Sequence, residues 1–240
     1  MKTLFATAVL AASLIASAAS ATELLTNGDF EAGNTGFYSE YSYRPIDGTQ
    51  TNLWPEATYD ASTNPNADHL LFSAFGDHTS GRGMMMVVNG ARDTDTIVWA
   101  QGSVGGGQTL IGAANSAFTF DFWLASVYPA SPANLQLKIN GADVAGVTFL
   151  AEGGQQTTGL WQHFSYTGTT GAAGLRSISL NNLNPEPSGN DFALDDLHLN
   201  GVAGGVPEPA SWALMLVGFG GLGAMARANR RLKPAYALAR

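Results

Sequence analysis

From Ala117 onward, apolar and polar side chains alternate: Phe118, Phe120, Phe122 and Leu124 against Thr119, Asp121, Trp123 and Ala125. A period of two puts each set on its own face of an extended chain, so the segment predicts a β-strand with one buried face. Leu135, Leu137 and Ile139 repeat the pattern and run into Asn140-Gly141. That dipeptide tolerates the positive φ angles of a two-residue hairpin turn, and Val144 to Leu150 is the expected return strand. Further strands are expected over Leu70–Phe75, Met84–Val88, Thr96–Gln101, Leu160–Thr167, Leu175–Leu180 and Phe192–Leu199, with Gly, Asn, Pro and Ser clustered between them. Many short strands with frequent turn signals predict an all-β chain, a jelly-roll β-sandwich. Tyr41 to Asp68, rich in Thr, Asn, Pro and Asp, reads as a long loop over one edge or face. No amphipathic helix of useful length is expected before Ala210.

Alternation breaks in one informative place. Phe192, Leu194 and Asp196 share one parity, whereas Asp195, Leu197 and Leu199 share the other. The apolar face therefore slips between Leu194 and Leu197. A β-bulge at the two aspartates restores it and aims both carboxylates toward one place.

Both ends depart from the β pattern. Lys2, the apolar run Leu4 to Ala16 and the small residues Ala19-Ser20-Ala21 form the three parts of a secretory signal peptide over residues 1–21. A β domain is expected over 22–200 and a linker over 201–206. At the other end, Pro207 and Pro209 hold an extended entry because their φ is fixed and they lack an amide hydrogen. Residues 210–226 carry no charge. As helix they reach about 25 Å, short for a hydrocarbon core of roughly 30 Å. Trp212 sits at the entrance, and Arg227, Arg230 and Arg231 follow the exit. The positive-inside rule then leaves the tail in the cytoplasm and the β domain outside. A single C-terminal transmembrane helix is the expectation.

Pro207-Glu208-Pro209, Trp212, a Gly-rich apolar helix and an Arg cluster together resemble the PEP-CTERM sorting signal of Gram-negative bacteria. The resemblance spans residues 207–240. It implies recognition by an exosortase, a membrane-embedded cysteine protease. An inner-membrane-anchored precursor would then be cut and released to the cell surface or extracellular matrix. Gly218, Gly220 and Gly223 also satisfy a G-x-G-x-x-G spacing. No strand precedes it and no acidic residue follows at the required distance, so dinucleotide binding is excluded.

Charge narrows the partners. Between Thr22 and Val206 there are 18 acidic residues against 5 basic ones, and the 240-residue chain holds no cysteine. An acidic exported domain repels nucleic acid. It favours cations or neutral partners such as glycans. Without cysteine, the exported fold must rely on packing or on metal ions. The four histidines, His69, His78, His163 and His198, show no zinc spacing.

The two ends of the β domain carry the candidate metal chemistry. Asn27-Gly28-Asp29-Phe30-Glu31 at the start and Leu194-Asp195-Asp196-Leu197 at the finish resemble the galactose-binding-like jelly rolls of carbohydrate-binding modules. The resemblance implies a structural calcium tying the first and last strands. Its ligands would be Asp29, Glu31 and Asp195, with Asp77 and Thr79 from the loop before Met84. Calcium takes six to eight oxygens, and these residues offer only oxygen. The alternative is two solvated carboxylates on an edge strand.

Glycans are held by aromatic faces ringed with planar polar groups. Trp54, Trp99 and Trp123 are the candidates. Trp123 either faces solvent on a sheet or packs under the Tyr41–Asp68 loop, and packing is the preferred reading. The functional expectation is a non-catalytic surface or matrix protein, possible ligand polysaccharide. The alternatives are a glycan-active hydrolase with a carboxylate pair, or an adhesin without a ligand.

Overall fold

The computed structural model describes residues 20–105, 110, 112–204 and 209–231. In chain order the strands and helices are β1 (Ala21–Glu23), β2 (Ser42–Tyr43), β3 (Thr58–Ser62), α1 (Pro65–Asp68), β4 (Met85–Asn89), β5 (Thr96–Gly102) and β6 (Ala117–Ser126). They continue as β7 (Asn134–Ile139), β8 (Ala142–Leu150), β9 (Gln162–Thr169), β10 (Ser177–Asn182), β11 (Phe192–Val202) and α2 (Pro209–Arg231).

Two sheets face each other. The larger has the order β2-β3-β4-β11-β6-β9, and β1 joins it on β11; the smaller has the order β5-β10-β7-β8. All pairings are antiparallel except β2 with β3. The parity read from the sequence decides what lies between them. Phe118, Phe120, Phe122 and Leu124 point inward with Met86, Val88, Phe192, Leu194, Leu197 and Leu199. The opposite sheet supplies Val98, Trp99, Leu135, Leu137, Ile178 and Leu180. Burying each such side chain contributes roughly 1.5–3 kcal/mol.

The hairpin at Asn140-Gly141 joins β7 to β8, with φ of +52° and +78° at the two turn residues. The bulge expected at the aspartates is present. The β11–β6 register shifts between Asp195 and His198, and Asp196 adopts φ +48°. Leu197 and Leu199 thereby return to the core.

The stretch before β4 departs from expectation. Leu70–Phe75 forms no strand. It crosses the outward face of the larger sheet, where Phe72 is buried while Leu70 and Leu71 are exposed. The expected loop Tyr41–Asp68 contains β2, β3 and α1. In β3, Tyr59 and Ala61 alternate with Thr58, Asp60 and Ser62, yet all five residues are buried; a short polar run among Thr, Asn and Pro reads as loop because its polar face is covered rather than wet. Strands β2 and β3 extend the larger sheet, while the loop that carries Leu53 and the stretch that carries Phe72 roof part of it, forming a second apolar cluster of Leu53, Phe72, Met85, Val87, Val127 and Ala193.

Residues 1–19, Pro207 and Glu208 lie outside the described residues. The signal peptide expected over 1–21 falls almost wholly there. Helix α2 forms where the apolar stretch predicted a helix, and its residues 215–225 are exposed. The transmembrane expectation needs correction: among the described residues, no helix is long and apolar enough to cross a membrane. Its 23 residues reach about 35 Å. Length is therefore sufficient, but Gly218, Gly220, Gly221 and Gly223 dilute the apolar content, and Arg227, Arg230 and Arg231 occupy its final turns.

Candidate functional site

Beyond the roof, the outward face of the larger sheet is open. Residues of β6 that alternate with the core phenylalanines define it: Thr119, Asp121 and Trp123. The register places Thr167, Ser165 and His163 of β9 beside them on one side. On the other side lie Asn200, His198 and Asp195 of β11. The β6 residues are half-buried, and those of β9, with His198 and Asn200, are exposed.

Trp123 is the centre of this face. Its ring stacks on His78 at 3.6 Å between centroids, with 15° between planes, and against His163 at 5.0 Å and 40°. His78 therefore covers one face of the Trp123 ring, and His163 is tilted against it. His163 Nε2 lies 3.5 Å from Asp121 Oδ1. His198 Nδ1 lies 3.0 Å from Glu23 Oε2 on β1. The Thr119 and Thr167 hydroxyls are 3.3 Å apart. These groups offer donors and acceptors around an aromatic surface, the combination a sugar ring needs for its C–H face and its hydroxyls.

His78 reaches Trp123 because the loop 76–84 is fastened at both ends. Trp161 Nε1 donates to the Gly76 carbonyl at 3.1 Å. The His78 amide donates to Asp195 Oδ2 at 2.8 Å, and its Nδ1 lies 2.7 Å from Asp196 Oδ2. The Thr79 hydroxyl donates to the same Asp196 oxygen. Asp195 is buried, which pushes its carboxyl up to about 7, against the lowering effect of the His78 amide; the charges of Asp196 and Asp77 raise it further. Burial also pushes Asp77 up. There the Ser80 and Gly83 amides and the Ser80 hydroxyl prevail, holding it below the ordinary carboxylate value.

Of the expected calcium ligands, Asp77 and Thr79 belong to this loop, and Asp195 and Glu31 hydrogen-bond to it. Glu31 Oε1 accepts from the Met84 amide at 2.8 Å. A Cβ on Gly83 would lie 2.1 Å from that oxygen and 3.1 Å from Asp77 Oδ2, so the absence of a side chain there admits both carboxylates. The first segment meets the bulge through the Leu197 amide, which donates to the Gly28 carbonyl at 2.9 Å. Asp29 Oδ1 accepts only a long 3.4 Å bond from the Glu31 amide. Thr79 is directed at Asp196. Each of Glu31, Asp77 and Asp195 is engaged by amide donors, and among the described residues no group of three or more histidines or acids is placed to hold a metal ion.

The tryptophan candidates separate. Trp99 needs correction: it is fully buried and stacks on Phe120, since its alternation points it between the sheets. Trp54 is 55% exposed, 6.2 Å from His69, on the roof rather than the open face. Only Trp123 belongs to the open face, and the packing expected of it comes from His78 rather than from the Tyr41–Asp68 loop. His78, His163 and His198 were missed as site residues. The signal for two of them was available: His163 and His198 lie at polar positions of alternating strands.

Residues 205–231 match the PEP-CTERM protein-sorting motif; the chain carries this motif at its C-terminal end. No curated protein matches the chain. Among solved structures, the CBM22-1 xylan-binding domain of Paenibacillus barcinonensis Xyn10C is similar at 12% identity, over 79% of this chain and 100% of that one, with a TM-score of 0.46. A family 16 carbohydrate-binding module is similar at 13% identity, over 73% and 98%, with a TM-score of 0.40. The K3 cleaved adhesin domain of Lys-gingipain from Porphyromonas gingivalis is similar at 14% identity, over 75% and 99%, with a TM-score of 0.44. Likenesses of this strength say nothing about ligands.

Proposed function

We propose that this chain is an exported, exosortase-sorted surface protein whose β-sandwich binds polysaccharide without cleaving it. The observation that carries the binding reading is Trp123, held between His78 and His163 at the centre of an open polar face. Apolar contact with the accessible part of this three-ring group supplies affinity, and Asp121, His163, His198 and Asn200 supply hydrogen bonds along the strands. The acidic balance of the domain favours a neutral glycan over an anionic one. A binding role, rather than hydrolysis, is supported by the position of Asp195. It is buried and taken up by the His78 amide and by the Asp196 amide at 2.8 Å, which suits holding a loop in place.

Retention of the full chain in native gels containing neutral glucans, xylans or mannans tests this. At least one should slow migration, and Trp123→Ala should weaken that retention about tenfold, the loss expected for one stacking contact of roughly 1.4 kcal/mol. Unretarded migration in every polysaccharide would sink the reading.

A structural calcium at loop 76–84 is part of the proposal. Glu31, Asp77, Asp195 and Asp196 crowd there, and among the described residues no Lys or Arg pairs with any of them; Asp196 alone meets a basic side chain, His78. A hard cation on Glu31, Asp77 and Asp195 would relieve the repulsion, exchanging amide hydrogen bonds for metal–oxygen bonds. Chelator should lower the melting temperature, and Asp195→Asn should shrink that response; superimposable melting curves with and without calcium would remove this part. For sorting, Arg227, Arg230 and Arg231 changed together to Gln should block processing in an exosortase-containing host, and normal maturation would count against it.

A further inference from the structure

Beneath the roof lies a second acidic cluster that the open face does not use. Asp60 on β3, Asp68 at the end of α1 and Asn52 in the preceding loop are 1%, 0% and 7% exposed. The two carboxyl groups lie side by side. Asp60 Oδ2 accepts from the Ile46 amide at 2.8 Å. Asp68 Oδ1 accepts from Asn52 Nδ2 at 3.1 Å, and the same nitrogen donates to the Arg44 carbonyl at 2.9 Å. Three buried oxygens, Asp60 Oδ1, Asp68 Oδ2 and Asn52 Oδ1, have no partner at hydrogen-bond distance, with the Tyr43 hydroxyl nearby on the Asp60 side and the Ser62 hydroxyl on the Asp68 side.

That pattern is unusual, because buried acceptors are nearly always satisfied. The Asn52 amide cannot be flipped to help, since its nitrogen already serves a carbonyl and a carboxylate, both acceptors only. A proton shared by the two aspartates would satisfy two oxygens and leave Asn52 Oδ1 orphaned. A cation would serve all three. The donors are all oxygen, with no histidine or cysteine, which selects a hard ion over zinc or copper. Two carboxylates balance a divalent charge. Asp60 and Asp68 can each bind through one or both oxygens, and the Ser62 hydroxyl lies beside Asp68, so a calcium shell is within reach once water is added.

We propose that Asn52, Asp60 and Asp68 form a calcium site under the roof, separate from loop 76–84. It joins three segments, the loop before β3, β3 itself and α1, and clamps the roof onto the sheet. The site is independent of the polysaccharide reading and of the calcium placed at Glu31, Asp77 and Asp195.

Native mass spectrometry of the full chain with calcium counts the bound ions. Asp60→Asn/Asp68→Asn should hold one calcium fewer than wild type, whereas Asp195→Asn should keep this one whatever happens at loop 76–84. Equal counts in wild type and the double variant would overturn the proposal. Should the double variant not fold, hydrogen exchange on wild type and on Asp195→Asn decides. In both, calcium at about ten times its Kd should slow exchange of the Ile46 amide and its neighbours about tenfold relative to chelator. Exchange indifferent to calcium at that amide would overturn the proposal and leave a shared proton between the aspartates.

Discussion

The outward face of the larger sheet has two unlike halves. Over β3, β4 and the start of β11 it is roofed, and its side chains form an apolar cluster with Leu53 and Phe72. Over the rest of β11, β6 and β9 it is open, with Trp123, Asp121, His163 and His198 half-buried or exposed. Both halves hang from one hydrogen-bonded ladder with one alternation. What separates them is whether another segment of chain covers them. Under the roof, an acid loses its water and must find a donor, a proton or an ion. On the open half, the same kind of residue keeps its water and remains available to a ligand.

The largest effect should come from opening the roof. Phe72→Ala removes a buried ring from the second cluster and should cost about 3 kcal/mol in urea unfolding. A cost under about 1 kcal/mol, the level of a surface change, would mean that the roof does not pack as a core. Trp123→Ala, on the open half, removes a half-buried ring stacked on two imidazoles and should cost about 1–2 kcal/mol. Its signature is the larger loss of polysaccharide retention. A variant that loses stability but keeps retention would make Trp123 a packing residue only.

A third measurement uses pH. Asp191, just before β11, is buried. Burial raises its carboxyl well above the ordinary value, against the Gly90 amide at 3.1 Å, and the charge of Glu56 raises it further. The folded state therefore holds this proton more tightly than the unfolded chain. Its contribution to stability is complete below the ordinary carboxylate range and is lost as pH rises toward the folded pKa. Asp191→Asn should accordingly gain on wild type between pH 4 and pH 8. A constant difference over that interval would show that Asp191 does not titrate with unfolding. The smallest effect is expected at Thr167→Ala on the exposed edge, within about 0.5 kcal/mol. A larger loss there would show that the open half is itself covered by something.

Much of the β body was legible, because Phe118, Phe120, Phe122 and Leu124 and the Asn140-Gly141 turn act through neighbouring residues. Even the bulge at Asp195-Asp196 was readable as a slip of parity. Strand β3 and the false strand at Leu70–Phe75 were not. Both lie where burial comes from two sides or from a roof, so that polarity no longer reports which face is wet.

The candidate site divides in the same way. Trp123 and the cluster of Asp77 and Asp195 were visible as residue types at suggestive positions, and the sorting motif was visible as a linear pattern. Trp99 and Trp123 look alike in the sequence, each flanked by strand residues, yet one fills the core and the other centres an open face. The chain's own order of apolar and polar residues determined the strands, the turn, the bulge and the C-terminal motif, since these depend on periodicity and local conformation. Only the tertiary structure decided which half of the sheet is roofed, which histidines stand beside Trp123 and which acids lose their water. Those outcomes depend on contacts between residues as far apart as His78 and Asp196, and local periodicity carries no record of such distant neighbours.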